Sequence, residues 1–151
     1  FKSGNEVAVQ LAGMHIDANT NNPNENVGQW KAGKVRPLCV FSDHKLDAYQ
    51  EKVRGDQGFA DVPTCSSQGI PIEQFNMPRT VWLPGGTSEE QVKFYAEVMA
   101  KVRETPEWKQ WLRTGLQSDF FLTGEKMLAY VKSDEAKNRR QFEEDDWLVK
   151  E

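Results

Sequence analysis

The chain reads as an α/β protein, and three observations carry that reading. Residues Leu11 to Phe41 run as helix end, short apolar strand, polar loop, helix, glycine stop and second apolar strand, which is the order of a βαβ unit. Before Pro84 short strands and short helices alternate, whereas from Pro84 onward apolar residues recur almost continuously at helical spacing. A length of 151 residues, 38% of them hydrophobic, is enough for one ordinary core without metals or cross-links.

Each element has a local reason. Ser3-x-x-Glu6 is a capping box, Val7 and Leu11 fall on one face, and Gly13 is a natural left-handed stop, so residues 4–12 are expected as a helix. His15 to Ala18 follows as a strand. Asn22 is the N-cap of the next helix, Pro23 and Glu25 suit its first turn, and Gly33 ends it after Trp30 and Ala32. Val35 to Phe41 is then a strand. Residues 42–60 scatter Leu46, Tyr49 and Val53 among polar residues, which reads as an exposed excursion with a turn or two of helix.

Thr64 is expected to cap a short helix ending at Gly69, while Ile72 to Phe75 and Arg79 to Leu83 look extended, punctuated by Pro78 and Pro84. Thr87-x-x-Glu90 is a second capping box, opening a helix whose Val92, Tyr95, Val98, Met99 and Val102 form one apolar stripe. Thr105-Pro106-Glu107 opens a further helix and Thr123-Gly124-Glu125 another.

Composition narrows the function classes. Nineteen Lys and Arg stand against 23 Asp and Glu, with no basic stripe interleaved with aromatics, which argues against a nucleic-acid partner. No apolar run approaches the ~20 residues that a membrane-crossing helix needs. Nucleophilic hydrolysis wants a histidine base, and the two histidines, His15 and His44, lie near no G-x-S-x-G elbow. Ser42-Asp43-His44 is adjacent in sequence, the wrong arrangement for a relay, and reads as a polar loop. No C-x-x-C or H-x-x-x-H occurs, so neither a zinc site nor a cofactor is expected. Glu143 to Asp146 points in different directions around a helix or tail and reads as a solvated face. Pro84-Gly85-Gly86-Thr87 lacks the Lys-Ser/Thr of a phosphate loop and reads as a turn and cap.

Cys39 and Cys65 both occupy apolar slots. The sequence favours two small buried core residues, with a disulfide worth about 3 kcal/mol as the alternative in an oxidising compartment.

Binding has better support than catalysis. Asn19, Thr20, Asn21 and Asn22 stand after the first expected strand and directly before a helix N-terminus. They offer amide, hydroxyl and backbone donors to a carboxylate or other small polar solute. Asn-Thr-Asn-Asn-Pro is equally good turn chemistry. Arg79, within an extended run, is the second candidate, because a guanidinium is the best fork for a carboxylate.

Four pieces occur in a telling order: Gly13-x-His15-x-Asp17-Ala18, Lys31-Ala32-Gly33-Lys34-Val35-Arg36, Asp61-Val62-Pro63-Thr64 and Pro84-Gly85-Gly86-Thr87. Over nearly the whole chain this order and spacing resembles the tripartite tricarboxylate transporter substrate-binding proteins, the Bug-type periplasmic solute receptors. The resemblance implies a type II periplasmic-binding-protein-like, two-lobed architecture of which this sequence holds the C-terminal portion, since members are about twice this length.

Residues 1–78 would be the later part of the second lobe, residues 79–83 a strand crossing between lobes, and residues 84–151 the helical closing part of the first lobe. The implied function is capture of a small carboxylated solute by lobe closure and its delivery to membrane permease subunits, with no catalysis. The Asn19 to Asn22 loop would face the cleft, and a leader outside this sequence would supply the periplasmic address. The resemblance also departs at Arg79, where a tryptophan and a glycine commonly flank the position and Trp82 here falls later.

Trp108 and Trp111 would cover the neighbouring lobe, and leaving them bare would favour a homodimer or strand exchange. Two other classes stay open. One is an α/β enzyme domain acting on a small polar substrate, for which the cleft offers His15 and Asp17. The other is a helical interaction module built on residues 84–151.

Overall fold

The computed structural model describes residues 1–148 apart from Glu73. Glu73, in the expected extended run 72–75, and the last three positions of the expected helical part lie outside the described residues.

Helix α1 (Gly4–Ala12) begins where Ser3 Oγ accepts the Glu6 N–H at 3.2 Å. Only half of the expected capping box forms, because the Glu6 carboxylate accepts the Lys2 N–H at 2.7 Å instead of that of Ser3. The other end differs from expectation by one residue. Gly13 has φ −85°, and Met14 takes the left-handed conformation, φ 61°. Met14 N–H reaches the Leu11 carbonyl and His15 N–H reaches that of Gln10, both at 3.0 Å, which is a Schellman closure. His15 therefore belongs to the end of the helix, and residues 15–17 bend. The strand expected from His15 to Ala18 does not form, and His15 is exposed.

The same wiring ends three more helices. Helix α2 (Pro23–Lys31) closes on Gly33, φ 71°, with Lys34 N–H on the Gln29 carbonyl at 2.9 Å, as the sequence suggests. Helix α4 (Pro106–Gly115) closes on Leu116, φ 53°, with Gln117 N–H on the Leu112 carbonyl at 2.9 Å. Helix α5 (Gly124–Glu144) closes on Asp146, φ 55°, with Trp147 N–H on the Phe142 carbonyl at 2.8 Å.

The N-terminal half collects around Trp30, Phe59 and Val62, with Val35, Val40, Leu46, Tyr49 and Val53 packed against them. Trp30 and Phe59 meet edge to face at 5.1 Å between centroids. Residues 42–60 hold a hairpin and then enter a single helical turn. Strands β1 (Lys52–Arg54) and β2 (Gln57–Gly58) pair antiparallel around Gly55, whose φ of 56° stands where type II′ turns place glycine. Gly58 cannot carry a side chain, since a Cβ would run into the Glu51 carbonyl oxygen. A single turn of 3-10 helix, Phe59–Asp61, then delivers Phe59 to the core.

The run from Val35 to Phe41 forms no strand; among the described residues it makes a parallel bridge between Val40 and Thr64, and the Phe41 carbonyl accepts the Phe75 N–H at 3.2 Å. Val40 N–H donates to the Pro63 carbonyl and Cys65 N–H to the Val40 carbonyl, both at 2.9 Å. Beside this bridge Cys39 and Cys65 are joined in a disulfide, Cα to Cα 4.9 Å, and no cysteine is free. This corrects the reading that favoured two reduced core residues. Their slots are apolar because the bridge brings both chains together inside, and that same proximity joins the sulfurs. Thr64 caps the 3-10 turn Ser66–Gln68 through Oγ1, and Gly69 ends it at φ 84°, as expected.

Helix α3 (Glu89–Arg103) starts one residue later than expected. The Thr87 hydroxyl donates to the Pro84 carbonyl at 2.7 Å in the Pro84–Thr87 turn. Capping falls to Ser88, in a reciprocal box with Gln91 at 3.3 and 3.0 Å. Thr105 caps α4 by accepting the Trp108 N–H at 3.2 Å. The C-terminal half has no buried core among its described residues, and Val92, Tyr95, Val98, Leu128 and Val131 of α3 and α5 stay exposed. The accessible surface of the chain is 12114 Å², against about 7,800 Å² for a compact monomer of 17.3 kDa.

Candidate functional site

The loop expected to bind a solute is knitted into the fold. Asn19 and Asn26 exchange side-chain amide bonds at 3.3 and 3.4 Å. Asn21 donates its amide to the Gly4 carbonyl at 2.8 Å, fastening the loop to the start of α1. A Cβ at Gly4 would displace the Asn21 Oδ1 and the Glu25 carboxylate, so the closeness of these side-chain ends goes with a glycine there. Asn22 is the N-cap of α2, as expected. Its backbone N–H and its side-chain amide both donate to Glu25 Oε2, at 3.0 and 3.1 Å. Three of the four residues thus have their amides committed to helix entry and to α1–α2 packing around the buried Ala8.

Thr20 is exposed and keeps its hydroxyl free of hydrogen bonds among the described residues. Arg79 is likewise exposed and makes no ion pair or hydrogen bond among them. It lies in residues 76–83, which belong to no helix or strand. Two of the cavities that the surface forms, of about 370 and 350 Å³, lie on the C-terminal helices. The larger is lined by Val102, Thr105, Glu107, Trp108 and Trp111. Neither includes Asn19 to Asn22 or Arg79.

Residues weighed for catalysis are not assembled into a relay. His44 Nδ1 contacts the Asp43 carboxylate and the Ser42 hydroxyl accepts the His44 N–H at 3.4 Å, so the hydroxyl faces backbone rather than imidazole. No group of three potential metal ligands converges among the described residues. No helix among them is long and apolar enough to cross a membrane.

Electrostatic perturbation concentrates elsewhere. The Asp61 carboxyl is held below its ordinary range by the Lys52 ammonium at 2.9 Å and by the Gly58 N–H at 2.8 Å, a clamp across the base of the hairpin. Arg103 is raised by its bond to Asp119 at 2.7 Å. Burial pushes the Tyr49 phenol up, partly offset by a hydrogen bond with Ser118. The hairpin clamp and the 116–121 segment were missed by sequence reasoning. For the first, Gly55-Asp56 between two short alternating runs is a readable hairpin signal. For the second, no local pattern distinguishes Leu116 to Phe121 from any helix connection.

Trp108 and Trp111 stack at 5.0 Å between centroids, inclined 30°, with Trp111 51% exposed. Compared with known proteins, the chain matches no family model, no curated protein and no solved structure.

Proposed function

We propose that this chain is the C-terminal portion of an extracytoplasmic solute receptor of the Bug type. In the complete receptor, a small carboxylated solute is captured between two lobes and handed to a membrane permease. The motif order of the sequence motivates the reading. The observation that carries it is the open state of the C-terminal half: uncovered apolar helix faces are what a lobe presents when its remaining strands lie elsewhere in the polypeptide. The Cys39–Cys65 disulfide is in keeping with an oxidising, extracytoplasmic compartment.

Within this reading the solute contacts are redistributed. Thr20 and Arg79 are the members of the expected set with free polar atoms, whereas Asn19, Asn21 and Asn22 shape the loop from behind. The test is a thermal-shift screen of the receptor-length protein against mono-, di- and tricarboxylates. A ligand that binds the native state alone raises the melting temperature, by the equivalent of about 2.7 kcal/mol at a hundredfold excess over Kd. The expected result is stabilisation by one acid that Arg79→Ala or Thr20→Ala abolishes without lowering the melting temperature of the free protein. Absence of a shift with every carboxylate sinks the receptor reading.

The stacked Trp108–Trp111 pair, with Trp108 half-buried and Trp111 exposed, favours one other reading, a helical interaction module on residues 84–151. Tryptophan quenching by acrylamide in the receptor-length protein separates the two. Receptor packing shields this pair, whereas an interaction module leaves it open until a partner arrives.

A further inference from the structure

Between α4 and α5, residues 116–121 touch each of the other parts of the molecule in turn. Leu116 packs on the Trp30–Phe59–Val62 core of the N-terminal half. Asp119 and Phe121, a few residues on, grip one residue of α3. The Asp119 carboxylate accepts Arg103 Nε at 2.7 Å, and the Arg103 guanidinium lies 5.6 Å from the Phe121 ring centroid. Phe120 meets Tyr130 of α5 edge to face at 5.3 Å.

The backbone at the head of this segment supports its importance. Leu116 holds φ 53°, a left-handed conformation unfavourable to a branched-chain residue, although Gly115 stands next to it and bears no such strain. The Schellman closure of α4 directs the Leu116 side chain into the N-terminal core, and that burial offsets the strain.

We propose that residues 116–121 are a coupling strap, through which a displacement of the N-terminal half is passed to α3 and α5. The two ends of the strap are chemically different. At the N-terminal half the grip is apolar, through the half-buried Leu116. At α3 it is a part-exposed ion pair with an aromatic ring beside the guanidinium. Loosening either end therefore releases the other, whatever the chain binds.

Hydrogen exchange followed by mass spectrometry on the intact chain tests this. Leu116→Ala is expected to speed exchange by about tenfold both in α2 and in the last turns of α3, and Asp119→Asn by about threefold in the same two places. Val53→Ala, in the same core but off the strap, speeds the N-terminal half alone. The strap is refuted if Leu116→Ala gives the Val53→Ala pattern, or if Asp119→Asn leaves α2 unchanged. Should Leu116→Ala unfold the chain, Phe121→Leu, which removes the ring from the Arg103 guanidinium, carries the same comparison with the same two outcomes.

Discussion

Replacing both cysteines by alanine, Cys39→Ala with Cys65→Ala, is the perturbation whose size follows most directly from the structure. The disulfide joins residues 26 apart in sequence. Tethering a loop of that length removes unfolded-state freedom worth about 3.5 kcal/mol at 25 °C. Total stability of a domain is about 5–15 kcal/mol, so the bond supplies a large fraction of it. The local setting adds to the loss, because Cys65 is fully buried beside the single parallel bridge, and alanine leaves the sulfur's volume empty. Urea unfolding monitored at tryptophan is the assay. With a slope of about 1–3 kcal/mol per M, the midpoint falls by roughly 1–3 M, and the slope itself rises because the untethered unfolded chain exposes more surface. A midpoint that moves by less than about 0.3 M contradicts the loop-closure reasoning. So does a titration that finds two free thiols in the native protein.

Other expectations are sharper in direction than in size. Gly58→Ala places a methyl group against the Glu51 backbone carbonyl and destabilises the hairpin by about 2 kcal/mol, read as a lowered melting temperature. Met14→Gly is stabilising by about 1 kcal/mol, since Met14 is 90% exposed and its left-handed backbone is the main thing the change alters. The lowered Asp61 carboxyl stabilises the folded hairpin above the ordinary aspartate range near pH 4. That contribution is lost as pH falls through the lowered folded value, so the Gly58 amide loses exchange protection there, and Asp61→Asn flattens the dependence. Tyr49 works in the opposite sense. Its raised phenol favours the folded state until pH rises past about 10, and Tyr49→Phe removes that alkaline loss.

Helix entry was legible in the sequence wherever one side chain decides it. Ser3, Asn22 and Thr105 cap where expected, and Thr87 fails because its hydroxyl has a nearer acceptor in the Pro84–Thr87 turn. Helix exit was harder. Gly33 takes the left-handed position, yet at α1 and α4 a glycine stands one residue too early and Met14 or Leu116 is left-handed instead. At α4 the left-handed residue is the one that packs on the Trp30 core, which is tertiary information, whereas at α1 Met14 is exposed and no packing accounts for the shift. The expected strand at His15 to Ala18 failed because its first N–H is committed to the end of α1. The asparagine loop was rightly placed at a helix start, but composition cannot separate amides that face a solute from amides that bond Gly4, Asn26 and Glu25. The disulfide depends on a long-range pairing between Val40 and Thr64 that neither flanking sequence announces.

The stripe of Val92, Tyr95, Val98, Met99 and Val102 on α3 brings the two halves of the chain into contrast. An amphipathic helix is stable in water chiefly because its apolar face is covered. The rule holds for α1 and α2, whose Ala8 and Trp30 are buried between packed elements. On α3 the same periodicity leaves Val92, Tyr95 and Val98 open, and Leu128 and Val131 of α5 are open as well. What holds α5 in its own register are pairs four residues apart, such as Arg140 with Glu144 at 2.9 Å, each worth about 0.2–0.5 kcal/mol. Such pairs keep a helix straight and soluble without giving it anything to rest on. The apolar pattern of α3 and α5 thus stays uncovered among the described residues, and the accessible area is about half as large again as that of a compact monomer. The strap at 116–121 gains its importance from this imbalance: in a half with no buried core among its described residues, a few directed contacts, Leu116 on the Trp30 core and Asp119 on Arg103, help fix where the helices stand.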